Sequence, residues 1–173
     1  MCSSDLQTIE NHYLVAERLT NGLQVRGGSV MKVSSILDGK KVATVKPEAT
    51  IKELTERLAE LKIGALVVSK DGKSVDGIVS ERDIVRAIPL NFATFQNLHV
   101  RDIMTVNVLT CTKDSTFSEL MILMTEKRIR HVPVVDESGL LVSIVSIGDV
   151  VKNHISEIDS ERTALIDYVK SAG

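Results

Sequence analysis

Tryptophan is absent from this chain of 173 residues, and aromatic residues amount to two tyrosines and three phenylalanines. A protein that stacks nucleic-acid bases on rows of aromatic side chains is therefore excluded. Cysteine is scarce as well: Cys2 and Cys111 cannot build a disulfide framework. No sign of charge dominates. Twenty-one Lys and Arg against 23 Asp and Glu leave a net charge of -2, which creates no field to gather a polyanion. Apolar runs are short, Ala65–Val68 being typical, whereas a membrane-spanning helix needs about 20 residues. Nothing near Met1 resembles a secretory h-region. These absences set the expectation of a cytoplasmic protein with neither nucleic acid nor membrane as partner. Valine and isoleucine fill the space, with 22 and 15 copies. They suit β-strands and small aliphatic cores.

The most informative pattern is an internal repeat. Shifted by 66 positions, residues 42–85 fall on 108–151 without a gap and with 13 identities in 44 positions. The identities include Val42/Val108, Thr44/Thr110, Thr50/Thr116, Glu53/Glu119, Ser80/Ser146 and Asp83/Asp149. Each unit reads strand, helix, strand, strand, helix. Val42–Val45 and Val108–Cys111 are the first strands. Thr50-Ile51-Lys52-Glu53 and Thr116-Phe117-Ser118-Glu119 are capping boxes, opening helices with apolar faces at Ile51, Leu54, Leu58 and at Phe117, Leu120, Met124. Strands at Ala65–Ser69 and Val75–Val79 follow, joined by a turn at Asp71-Gly72. Their counterparts are Val132–Val135 and Leu140–Val145. A second helix opens at Ser80 and at Ser146. A unit of this size buries little by itself, so two units are expected to pack face to face and share a core.

This pattern divides the chain into four parts. Residues 1–30 are expected to be a leader or an upstream extension, with a short helix at Glu10–Thr20. Residues 31–90 are repeat 1, residues 91–152 repeat 2 with the connector Pro89–His99 between them, and residues 153–173 a C-terminal helical extension. In that last helix Val151, Ile158 and Leu165 are spaced by seven, as are Ile155, Arg162 and Val169. The seam either packs on its own module or zips against a second copy.

Two signatures carry chemistry: Gly77-Ile78-Val79-Ser80-Glu81-Arg82-Asp83 and Ser143-Ile144-Val145-Ser146-Ile147-Gly148-Asp149. Each is a strand ending in serine, followed by a helix with aspartate three residues on. Read alone, Ser-x-x-Asp is a helix cap. Read together, two helix N-termini present backbone N–H groups and a positive dipole end, which suit phosphate. A carboxylate in each first turn suits the two hydroxyls of a ribose. Both readings remain open at this level.

Residues 33–152 resemble a tandem pair of CBS domains, also called a Bateman module, and are similar to small stand-alone bacterial two-CBS proteins. The resemblance rests on Ile63-Gly64-Ala65-Leu66-Val67-Val68, Gly77 to Val85, Val100-Arg101-Asp102-Ile103-Met104-Thr105, Arg128 to Asp136 and Val145 to Val151. It implies a mixed α+β fold, two β-α-β-β-α repeats about a pseudo-two-fold axis, and an adenosyl ligand (AMP, ADP, ATP, NAD or S-adenosylmethionine) in clefts between the repeats. It implies a homodimer and a regulated partner protein. By position, Asp83 and Asp149 would hold ribose hydroxyls, with Ser80 and Ser146 beside ribose and phosphate. Thr44 and Thr110 would line the adenine or ribose side. Backbone groups at Ala65, Leu66, Val132 and Pro133 would read the adenine edge.

Cations for the phosphates are distributed unevenly. Arg130 and His131 align with Gly64 and Ala65, and Arg82 aligns with Gly148, so the two clefts are expected to differ. With so few aromatics, the base is expected between Ile78, Val79, Ile144 and Val145. The four histidines show no metal-ligand spacing, and Cys111, aligned with Val45, is expected as a buried apolar residue. No nucleophile has a base positioned beside it, so the expected function is regulatory and not enzymatic, with no required cofactor. The rival is an interaction module with silent clefts.

Overall fold

Helix caps and strand register set the frame. The computed structural model describes residues 31–171 apart from 38, 40 and 41. The leader expected at 1–30, with Cys2 and His12, lies outside the described residues. Both capping boxes form. In the first, the Glu53 N–H donates to Thr50 Oγ1 at 3.2 Å and the Thr50 N–H donates to Glu53 Oε2 at 2.8 Å. The same pair of bonds joins Thr116 and Glu119, at 2.8 and 3.2 Å. They start α1 (Ile51–Leu61) and α4 (Phe117–Lys127). Both helices end on a left-handed residue, Lys62 and Arg128, each with φ 54°. These positions are also 66 apart, so the repeat extends to its C-caps.

In the first unit β1 (Thr44–Val45) runs parallel to β2 (Ala65–Val68), which pairs antiparallel with β3 (Gly77–Ser80). In the second, β4 (His131–Val135) pairs antiparallel with β5 (Leu141–Ser146). Cys111 takes the place of β1 through a parallel bridge to Val134. Register repeats with the sequence. Leu66 opposes Val79 and Val132 opposes Val145, while Val67 opposes Ile78 and Pro133 opposes Ile144. Helices α2 (Glu81–Leu90) and α5 (Ile147–Ser171) close the units. Helix α2 runs into the expected connector. Pro89 sits in its last turn, where it removes one hydrogen bond and the helix stops a residue later. A 3-10 turn at Phe95–Asn97 and the short helix α3 (Val100–Ile103) complete the connector.

The expectation of one shared core is corrected. Among the described residues the buried apolar side chains gather in two clusters, one in each unit. The first gathers Val45, Ile51, Leu54, Leu58, Leu66, Val68 and Val79. The second gathers Cys111, Phe117, Leu120, Met124, Val132, Val134, Val145 and Val150. The units exchange straps instead. Val100, which leads into repeat 2, is buried in the first core, and Val33, which leads into repeat 1, is buried in the second. Backbone bridges fix both straps, Thr50 to His99 and Lys32 to Thr116. Each core is thus completed by chain that precedes the other repeat.

Candidate functional site

Strand register brings the chemistry-bearing residues to one corner of each sheet. Ala65 opposes Ser80, and His131 opposes Ser146. The start of β2 or β4 therefore lies beside the end of β3 or β5, where α2 or α5 begins. The Glu81 N–H donates to the Gly64 carbonyl at 3.1 Å and the Ile147 N–H donates to the Arg130 carbonyl at 2.8 Å, locking each helix start onto its sheet.

At the first corner the N–H and the hydroxyl of Ser80 donate to Asp83 Oδ2, at 2.8 and 2.6 Å. At the second, Ser146 does the same to Asp149 Oδ2, at 2.9 and 2.6 Å, and the Asp149 N–H donates to Ser146 Oγ at 3.2 Å. Both signatures are thus helix caps in the structure. Each cap uses Oδ2 of its carboxylate. Among the described residues no hydrogen bond engages Oδ1 of either, which leaves that oxygen for a further donor.

His131 stands where the units meet. A Cβ built on Gly64 would lie 3.5 Å from both His131 Cε1 and Glu81 Oε2, so the ring of one repeat abuts the backbone of the other. Burial pushes the His131 imidazole below its ordinary value of 6.5. The carboxylates of Asp149 and Glu81 pull it up, and Arg130 adds to the downward push. Below pH 6.5 the unfolded chain takes up a proton that the folded site resists, so stability falls as pH drops from about 6.5 toward the folded value. Urea midpoints at pH 7.5 and 5.5 are expected to show this loss in the wild type and less of it in His131→Gln. Equal losses in the two proteins would refute the assignment.

The remaining expected residues are placed as follows. Arg130 is exposed beside His131. Arg82 reaches across the repeats, its Nη1 donating to the Arg128 carbonyl at 2.9 Å, where a cation at the end of α4 also favours the helix dipole. Thr44 lies on β1, one strand removed from β3. It lines a separate open depression of about 760 Å³ together with Lys46, Ser69 and Asp71. Thr110 precedes Cys111 on the matching edge of β4. Ala65, Leu66, Val132 and Pro133 are all buried, and the Pro133 carbonyl accepts from the Cys111 N–H at 3.0 Å.

One expectation about the walls is corrected. Val79 and Val145 are 0% and 1% exposed and belong to the two helix-backed cores. Side chains alternate along a strand, so their neighbours Ile78 and Ile144 face the opposite side and remain half-buried. Only the isoleucines are available as aliphatic walls. Glu81 and Gly64 escaped the sequence reading. Their signal was a break in the repeat, since the second unit has Ile147 and Arg130 at those positions. Among the described residues no cluster of His, Cys, Asp and Glu could hold a metal, and no helix is long and apolar enough to cross a membrane. Cys111 is buried, and burial pushes its thiol up to about 12.

The model for the CBS domain matches residues 33–90 and 100–155, the two units just described. The chain belongs to the CBS domain family. This CBS-domain pair is similar in structure to a CBS-domain containing protein from Agrobacterium tumefaciens, with 42% identity and a TM-score of 0.66 over 71% of this chain and 98% of that one. It is also similar to a CBS domain protein from Pyrobaculum aerophilum solved in complex with AMP, with 28% identity and a TM-score of 0.60 over 69% of this chain and 89% of that one. In sequence it is 35% identical over 125 residues to the mitochondrial CBS domain-containing protein CBSX3 of Arabidopsis thaliana, covering 70% of this chain. The chain spans 60% of that relative's length. The CBS match ends at residue 155, whereas α5 continues to Ser171.

Proposed function

We propose that this CBS pair is a regulatory module that senses an adenosyl nucleotide of the AMP, ADP, ATP or NAD class and passes the signal to a partner protein or to its own homodimer. One observation carries the reading. The two Ser-x-x-Asp corners recur in the same strand register, each with a carboxylate oxygen left over after capping. Asp83 and Asp149 would each accept from ribose hydroxyls through Oδ1, with Ser80 and Ser146 alongside. Ile78 and Ile144 would bracket the base. Arg130 gives the second corner a cation where the first has Gly64, Arg82 gives the first one where the second has Gly148, and the His131 ring stands between the two, so the reading includes two unequal sites. A ligand acts on such a module only through different affinity for two of its states.

A second reading, an interaction module with silent clefts, is favoured by the caps themselves. Serine and aspartate already satisfy one another at 2.6 Å, and Arg82 is already engaged by Arg128. Calorimetry separates the two. After removal of co-purified nucleotide, wild type is expected to release heat with at least one of AMP, ADP, ATP or NAD. Asp83→Ala or Asp149→Ala is expected to weaken the site it serves by about tenfold or more, since hydrogen bonds to a charged group contribute about 1.5–3 kcal/mol and tenfold is about 1.4 kcal/mol. Thermal melting checks that both variants fold. No heat with any member of the panel would establish the silent module, and unchanged affinity in the double variant would remove the aspartates from the site.

A further inference from the structure

The second half of α5 has no cover among the described residues. The helix is held against the second core through Val150 and Ile147. Its last anchors are half-buried His154 and Glu157, Glu157 accepting the Met31 N–H at 2.9 Å. From Ile158 onward the residues whose burial is described are all exposed. This stretch is apolar where it should be polar: Val151 and Ile158 are 40% and 51% exposed, Leu165 and Val169 66% and 70%. At about 100° per residue the seam Val151, Ile155, Ile158, Arg162, Leu165 and Val169 is centred roughly 80° round the helix from the anchored face, and its apolar side chains are 40–70% exposed. The module body therefore leaves it open. A free helix of this length is marginal in water, so the seam needs an occupant.

We infer that the occupant is the same seam of a second copy, running antiparallel. The argument is self-complementarity, which a two-fold interface demands. About Ser160 the seam reads alike in both directions. Val151 meets Val169 of the partner subunit, Ile155 meets Leu165 of the partner subunit, and Ile158 meets Arg162 of the partner subunit. Charge selects this direction. A parallel zipper would put two Arg162 side chains in one layer. The antiparallel one sets each Arg162 against an isoleucine, within reach of Asp159 of the partner subunit on the same side of the seam. Two arginines and two aspartates then form a neutral cluster at the two-fold axis. The inference specifies the dimer of the proposed function and is independent of its nucleotide site.

The test uses the full chain with Cys2→Ser. Ile155→Cys and Leu165→Cys proteins are oxidised separately and mixed. The mixture is expected to form a 155–165 disulfide, and each protein alone to stay uncrosslinked. A 155–155 disulfide would establish the parallel zipper and overturn the inference. No crosslink in any sample would overturn it too, assigning the seam to residues 1–30 of the same chain or to another protein. As a second measurement, Arg162→Asp is expected to weaken crosslinking at least about tenfold, and Arg162→Asp with Asp159→Arg to restore it. Failure of that restoration also overturns the inference. Crosslinking is read without nucleotide, so a negative result here leaves the nucleotide reading to its own calorimetry.

Discussion

Phe117→Ala is expected to lower folding stability by about 3–5 kcal/mol, a large share of the roughly 5–15 kcal/mol that a domain possesses. Phe117 is fully buried and is the largest side chain in the second core, which it shares with Leu120, Met124, Val132, Val134 and Val145. In a chain with three phenylalanines and no tryptophan, the valines around it are short and stiff at χ1. They cannot swing in to fill the space, which leaves Met124 as the flexible neighbour and most of the cavity term in place. The Phe117 N–H also donates to the Met31 carbonyl at 3.4 Å, beside the strap that buries Val33. The loss is therefore expected to loosen the strap as well as the core. Urea unfolding would show a lower midpoint. As a control, Ile51→Val at the matching position of the first core is expected to lose only about 0.5–1.5 kcal/mol. A Phe117→Ala loss below that of the control would show that Phe117 is not the centre of its core.

Much of the fold was legible because it is written twice. The shift of 66 residues predicts the capping boxes, the strand pairs and the helix starts, and the register follows it residue by residue: 65 with 80 and 131 with 146, 45 with 68 and 111 with 134. The strap exchange was hidden, because it depends on which unit a segment packs against, and periodicity reports only that the segment has an apolar face. Val33 and Val100 look alike in sequence and say nothing of the sheet that each will complete. The candidate site was legible in its carboxylates and serines, since capping is local chemistry. The pocket walls were misassigned for a reason of period. Ile-Val on a strand puts one side chain on each face, and treating Ile78-Val79 and Ile144-Val145 as a block ignored it. The cluster at His131 was out of reach, because Glu81 and Gly64 come to it from the other repeat.

Gly77→Val is expected to cost about 1–3 kcal/mol or more through overpacking, and to do so at one contact. The repeat isolates the cause. The matching position in the second unit is Ser143, so this strand site accepts a side chain, and Gly77 has no positive φ to demand glycine. What differs is the connector. A Cβ on Gly77 would lie 2.8 Å from Met104 Sδ and 3.1 Å from the Thr105 carbonyl oxygen. Methionine is flexible and can yield. The Thr105 carbonyl cannot yield freely, because it accepts from the Ile78 N–H at 3.0 Å while the Thr105 N–H donates to the Ile78 carbonyl at 2.9 Å. Valine at 77 must therefore push the connector off the edge of β3 or break that bridge. Hydrogen exchange is expected to lose protection at the Ile78 and Thr105 amides, with Thr50 and Thr116, the caps of α1 and α4, unaffected. Adding Met104→Ala is expected to recover only part of the stability, since it removes the sulfur and leaves the backbone contact. Full recovery would show that the methionine alone fills the space, and wild-type stability in Gly77→Val itself would show that the connector is not tightly held. Ser80 ends this same strand, so Gly77→Val is also expected to weaken the nucleotide binding proposed for the Asp83 corner while leaving the Asp149 corner as it was.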